Sequence, residues 1–307
     1  MAGGIQMKVG DVAVFLKEHA HQKIKTGKSG ADVYAVGRDV LLKHARRAAL
    51  PDAGVWDSYV TEARMYAWFH EKHVPWVPEL LYERRTPQEV VLLLRRYRML
   101  AHEEASSRLP EIMQTLARIH SLPAPDFLEA PKRSYAVLPP ERLRECLDGW
   151  KSVLAEHGDR FNADDAAFVA RHFNRVNERF YSQNFTLVHG DFHCDNLLMG
   201  EHGALLVCDW QNAHMGTPAG DVAFFLSRLS ADGVSLDADA LVGSYCAAAA
   251  ALGVSADAEM IRCDRTLSSL NAAFLFWHQY LHDNPAERVG GIFYKMAADM
   301  NWLLRRI

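Results

Sequence analysis

TLVHGDFHCDNLLMGEHGALLVCDWQ, residues 186–211, is the stretch whose reading decides the fold. Two short apolar runs, TLV and ALLVC, bracket a polar loop, so the segment reads as strand–loop–strand. Within it Asp191 and Asn196 stand five apart, and Asp209 follows Asn196 by thirteen residues at the end of the second run. A carboxylate at a strand end and an amide oxygen are hard oxygen donors suited to Mg²⁺, which takes one or two carboxylates plus phosphate oxygens and water. A second, separate carboxylate can accept the hydrogen bond of an incoming hydroxyl and orient it. The spacing therefore points to phosphoryl transfer, with a polar turn built from Asp and Asn as the plainer alternative.

Outward from this insert the chain changes texture. VGDVAVFLKEHA (9–20) has helical spacing, and strands are expected at 22–26, 32–36 and 39–44. An amphipathic helix at 55–73 follows, then two strands within 76–97 around Thr86-Pro87. Beyond Tyr97 the pattern is mainly helical, at 111–122, 141–158 and 163–183, then 219–231, 238–252, 257–282 and 285–306. Strands concentrated in the first third predict an α+β fold with two lobes. Residues 1–97 form a small β-rich N-terminal lobe, and 98–307 a larger, mainly helical lobe with the catalytic loop and the acceptor site.

Composition narrows the function classes. The 38 acidic and 34 basic residues give a net charge of −4, against a general nucleic-acid binder. No apolar run reaches membrane-spanning length, and the first residues lack a secretion-signal pattern. Five scattered cysteines without C-x-x-C fit reduced thiols, so a cytoplasmic protein, monomer or homodimer, is expected. Two histidine pairs stand four apart, His189/His193 and His278/His282. Two ligands do not make a zinc site, and ordinary hydrogen-bonded histidines are the preferred reading.

TGKSG (26–30) invites comparison with a phosphate-binding P-loop. The glycine required six residues before Lys28 is replaced by Gln22, and the loop joins two strands instead of a strand and a helix, so that pattern fails.

HGDFHCDN with a following Asp resembles the aminoglycoside phosphotransferase and choline kinase family, relatives of the protein kinases. The resemblance runs from about residue 22 onward and is densest at 24–62 and 186–225. It implies a two-lobed protein-kinase-like fold and a small-molecule kinase. Asp191 would be the catalytic base, Asn196 and Asp209 the metal ligands, and His189 and Asp221 structural supports of the loop. His193 and Asp195 are left open between a supporting role and simple exposure. TGKSGADVY is similar to the family's nucleotide loop, with Ser29 and Gly30 over the phosphates. Lys43 in DVLLKHA and Glu62, nineteen residues on, resemble the family's lysine–glutamate pair. Backbone near Leu94 and Arg95 would meet the adenine edge. ATP is the expected donor, with GTP open, and Mg²⁺ the expected metal.

CDWQ in place of D-F-G, and no A-P-E element, favour a small-molecule hydroxyl over a protein as acceptor. The first choice is an antibiotic. An amino alcohol or sugar is the alternative, and a nucleotide-binding scaffold without activity is third. Asp232, Asp237, Asp239, Asp257 and Glu259 form an acidic stretch that either attracts a cationic acceptor or supplies helix N-caps, the second being preferred. Asn271, Trp277, His278 and Tyr280 either line the acceptor pocket or pack in a helical core.

Overall fold

Why the N-terminal third builds a sheet is clearest at its most buried strand. The computed structural model describes residues 9–24, 30–128, 137–180, 185–231, 233–234 and 237–307. The chain opens with helix α1 (Val12–Glu18), then strands β1 (His21–Ile24), β2 (Asp32–Val36) and β3 (Val40–Arg46), helix α2 (Ala53–Glu71), and strands β4 (Leu80–Arg85) and β5 (Glu89–Arg95). The five strands form one antiparallel sheet in the order β1-β2-β3-β5-β4. Strand β5 lies between two neighbours and is covered on both faces, so Val90–Leu94 are all buried and the strand reads as an unbroken apolar run. One face packs on α1, where Val12 and Phe15 meet Val36, Leu42, Val91 and Leu93. Strand alternation turns Lys43, the neighbour of Leu42, to the opposite face. The turn between β4 and β5 is fixed by Thr86, whose Oγ1 accepts from the Gln88 and Glu89 N–H groups.

Helix α1 is shorter than the expected 9–20. Asp11 caps it by accepting from the Ala13 and Val14 N–H groups, and His19 is already extended. Among the small elements not expected are strand β6 (Arg98–Met99) and helix α3 (His102–Ser107). Both are too short to show a period. The rest comprises α4 (Leu109–Ser121), α5 (Pro140–Ala155), α6 (Ala163–Phe180), β7 (Thr186–Val188), β8 (Leu197–Met199), β9 (Leu205–Val207), β10 (His214–Gly216), α7 (Pro218–Ala231), α8 (Ala238–Ala251), α9 (Ala258–Phe276) and α10 (Ala286–Leu304). Strands β6, β8 and β9 form a three-stranded sheet, with Arg98 opposite Met199 and Leu197 opposite Val207. The expected helix 257–282 breaks at Phe276 (φ −125°, ψ −37°), and Trp277–Gln279 form a 3₁₀ turn.

Contacts group the chain into two compact units that interleave along the sequence. One is Met1–Ile119, His189–His214 and Phe224–Leu241, and the other His120–Val188, Met215–Ala223 and Val242–Ile307. The core of the second is helical, with Trp150, Phe173, Phe274 and Phe293 among α5, α6, α9 and α10. The Trp150 indole N–H donates to the Phe274 carbonyl at 3.2 Å, which satisfies the one polar atom of that ring. All five cysteines are free thiols. Among the described residues no helix is long and apolar enough to cross a membrane.

Candidate active site

Lys43, Glu62 and Asp209 come from three separate segments of the first unit and meet in space. Strand β3 turns the Lys43 side chain away from the α1 face. Helix α2, capped by Asp52 through the Val55 N–H, carries Glu62 on its buried face with Tyr59, Ala63 and Tyr66. Lys43 Nζ lies 2.7 Å from Glu62 Oε2 and 3.0 Å from Asp209 Oδ1. Burial alone would lower the Lys43 pKa, but the two carboxylates more than offset it and hold the ammonium charged. Burial pushes the Glu62 carboxyl up against the pull of Lys43. Burial would also raise Asp209, yet Lys43 and then His189 hold it below the usual range. Asp209 keeps 41% of its side chain exposed and adopts a left-handed backbone (φ 64°). A non-glycine residue rarely holds that conformation, and it recurs where a side chain must be aimed at a site.

The loop at 189–196 is stitched to the same strand. His189 is fully buried; its Nε2–H donates to the Cys208 carbonyl at 2.9 Å, while Nδ1 accepts from the Asp191 N–H. The Cys208 N–H donates to the Asn196 carbonyl at 2.9 Å. The backbone on both sides of the loop is thus tied to the residue preceding Asp209. Gly190 has φ 79°, and a Cβ there would overlap the Asn212 carbonyl oxygen, so only glycine fits. Asp191 presents a carboxylate that is 33% exposed. Asn196 is buried and its amide Nδ2 donates to the Asp191 carbonyl at 2.8 Å, which leaves Oδ1 as the amide atom outside that bond. An amide oxygen and the half-exposed Asp209 carboxylate fit the sparse, all-oxygen protein contribution that Mg²⁺ takes beside phosphates. Among the described residues no group of three His, Cys, Asp or Glu side chains is arranged to hold a metal without such help.

The remaining expected positions divide. Gly30 has φ 85° and Ser29 lies outside the described residues, as do Lys28 and Asp232. Leu94 is buried in β5, and the Arg95 N–H is already given to the Glu79 carbonyl at 2.9 Å. Asp221 is buried in the second unit, 3.3 Å from His120 Nε2, and His120 Nδ1 lies 2.7 Å from the Tyr245 hydroxyl. Asn271 exchanges amide hydrogen bonds with Asn177 at 3.1 and 2.8 Å. His278 is buried beside Gly149, while Trp277 and Tyr280 are exposed. Asp237 and Asp257 cap α8 and α9, and Glu259 pairs with Arg306. His282 pairs with Glu156.

Two residues escaped the sequence reading. Tyr59 lies under the Lys43 ammonium, 5.2 Å from ring centre to Nζ, and its hydroxyl accepts from the Ala31 N–H. Its position three residues before Glu62 on one helix face was the available signal. Gln211 donates to Glu62 Oε2 at 3.3 Å, and nothing local in the sequence marks it.

A sequence model described as "Phosphotransferase enzyme family" matches residues 23–256. The chain belongs to that family. This phosphotransferase has the protein-kinase-like α+β fold of several solved structures. A choline kinase from Cryptosporidium parvum Iowa II is 10% identical, with TM-score 0.58 over 95% of this chain and 91% of that one. The aminoglycoside phosphotransferase APH(2'')-Ib, with ADP bound, is 13% identical, with TM-score 0.55 over 94% and 99%. The aminoglycoside phosphotransferase APH(3'')-Id from Streptomyces rimosus ATCC10970, in complex with ADP and streptomycin, is 14% identical, with TM-score 0.52 over 85% and 98%. At these identities the likeness is one of fold. Among curated proteins no sequence matches this phosphotransferase significantly.

Proposed function

We propose that this phosphotransferase moves the γ-phosphate of ATP to a hydroxyl of a small molecule, with an antibiotic as the first acceptor class to test. The observation that carries the reading is the meeting of Lys43 with both Glu62 and Asp209 beside the loop that bears Asp191 and Asn196. Lys43 grips the α- and β-phosphates, and Glu62 fixes its position. Asn196 Oδ1 and the Asp209 carboxylate hold Mg²⁺, which when bound neutralises phosphate charge and aligns the terminal phosphate. Asp191 accepts the proton of the acceptor hydroxyl. The hydroxyl oxygen forms the new bond to phosphorus, the bond from phosphorus to the bridging oxygen breaks, and ADP leaves with that electron pair. Gly30 and Ser29 cover the phosphates, and Leu94 and Arg95 lie at the adenine edge.

A second reading, an amino-alcohol or sugar kinase, is favoured by one observation. Phe276, Trp277 and Tyr280 are exposed at 53%, 36% and 68% around the turn after α9, and exposed aromatic faces suit a quaternary or primary ammonium. The acidic stretch adds nothing to a cationic acceptor where its members are engaged as caps and ion pairs. A panel of aminoglycosides, other antibiotics, choline, ethanolamine and sugars, incubated with Mg²⁺–ATP and read by mass for one added phosphoryl group, separates the readings. Tight nucleotide binding with no product in any arm, and no Mg²⁺-dependent ATP consumption, would leave only a nucleotide-binding scaffold.

A further inference from the structure

His193 sits between both oxygen-bearing ends of the loop, and its two ring nitrogens face different partners. Nε2 lies 3.2 Å from Asn196 Nδ2 and 3.7 Å from Asp191 Oδ2. Nδ1 is buried without a hydrogen bond and lies 3.5 Å from Asp195 Oδ2. Asn196 Nδ2 already donates to the Asp191 carbonyl at 2.8 Å, so the amide nitrogen, and not the oxygen, points into this corner. An amide nitrogen only donates, so His193 Nε2 must offer its lone pair and the ring proton must sit on Nδ1. A proton on Nδ1 lies close to the negative charge of the Asp195 carboxylate, which favours that tautomer. Asp195 is itself held by His102 Nε2 at 2.9 Å and by Arg228 at 3.9 Å.

We infer that His193 is a positioning residue that fixes the orientation of the Asn196 amide, so that Oδ1 rather than Nδ2 is presented to the divalent ion, and that Asp195 selects the His193 tautomer that does so. The inference rests on the metal site read above and assigns a role that the sequence left open. A turned amide would set Oδ1 against two acceptors, the Asp191 carbonyl and the Nε2 lone pair, while offering the cation N–H groups. Residues behind a metal ligand commonly control affinity about as strongly as this arrangement implies. His193 needs no change of charge for this role. It acts through the direction of one hydrogen bond, and the edge contact of its ring with Phe224 keeps the plane in place (centroids 6.1 Å apart, planes at 68°).

The test measures Mn²⁺ binding to the enzyme–ADP complex by the loss of the free-ion electron paramagnetic resonance signal, with no turnover required. His193→Phe, which keeps a ring and removes the acceptor, is expected to weaken Mn²⁺ binding by about tenfold. His193→Gln, whose amide oxygen can accept from Asn196, is expected to stay within about threefold of wild type. Asp195→Asn, at an exposed position, can donate to Nδ1 and drive the proton to Nε2, and is expected to weaken binding in the same direction as the Phe variant. Melting temperatures and metal-free ADP affinity should match wild type in all three. Asn196→Ala and Asp209→Ala serve as references. Normal Mn²⁺ binding in His193→Phe alongside loss in the two references overturns the inference alone. Normal binding in the references too overturns the metal site and the inference with it.

Discussion

Each unit buries ionisable groups, and each handles the cost differently. In the first, Lys43 Nζ lies within 3.0 Å of both the Glu62 and the Asp209 carboxylates, which hold the ammonium charged against the opposing effect of burial. In the second, Asp264 on α9 is 6% exposed, and among the described residues it has no hydrogen bond or ion pair. Burial pushes its carboxyl up to about 7, so it avoids charge by keeping its proton. Pairing preserves charge for use, whereas protonation removes it. The contrast predicts that substitutions in the first unit change turnover and binding more than stability, and that those in the second change stability.

The largest effect should come at Asp191. Its replacement by Ala is expected to lower kcat by about 10²–10⁴ with an unchanged melting temperature, since the carboxylate is partly exposed and only its backbone carries the loop. Near-normal turnover would remove Asp191 as the base. Next is Lys43→Ala. Loss of a charge-assisted contact to phosphate should weaken nucleotide binding by about 1.5–3 kcal/mol, roughly 10- to 150-fold in Kd by isothermal titration. Removing one partner of a buried pair ordinarily costs about 3–5 kcal/mol of stability. Here the cost should be smaller, because Glu62 is already pushed upward by burial and can take up a proton once Lys43 is gone. A collapse of the melting temperature with intact nucleotide affinity would reverse the contrast drawn between the units.

How much of this was legible depended on the range over which each feature is encoded. The run at 90–94 announced a strand, and Asp191, Asn196 and Asp209 pointed to one candidate site because their spacing lies within a single strand–loop–strand unit. Lys43 and Glu62 were legible through resemblance, and the sheet and helix that carry them bring them together. Tyr59 and Gln211 were not, because their roles exist only after α2 and the segment after Asp209 have packed. Nor could sequence show that residues 189–214 group with the N-terminal part of the chain. Helix 257–282 was drawn too long because its apolar spacing runs through Phe276, where the backbone turns. At Asn271 the residue type allowed both a pocket and a core, and the reciprocal amide pair with Asn177 now occupies that side chain.

Gly149 in the second unit offers a stability effect whose sign is set by two opposing magnitudes. Alanine is a better helix former than glycine by about 1 kcal/mol. A Cβ at 149 would overlap the His278 ring, which is buried. Overpacking of that kind costs about 1–3 kcal/mol or more, so Gly149→Ala should be destabilising by roughly 1–2 kcal/mol. A calorimetric melting temperature above wild type would mean that the helix preference wins and that the ring can move.

The smallest effect tests the lone carboxyl itself. With a folded pKa of about 7 against the ordinary 3.8, Asp264 binds a proton in the native state that the unfolded chain releases across the interval between those values. Unfolding stability therefore falls as pH rises from about 4 to 7 and stays low above it. Asp264→Asn cannot ionise. Its stability relative to wild type should rise between pH 5 and pH 8 by on the order of 1–2 kcal/mol, or about 2 °C of melting temperature per kcal/mol. The amide brings its own unsatisfied N–H groups, which lower both arms equally and leave the difference between the two pH values intact. Parallel curves for the two proteins across that range would show that the carboxylate finds a partner when it ionises, and the second unit would then resemble the first in keeping its charge by pairing.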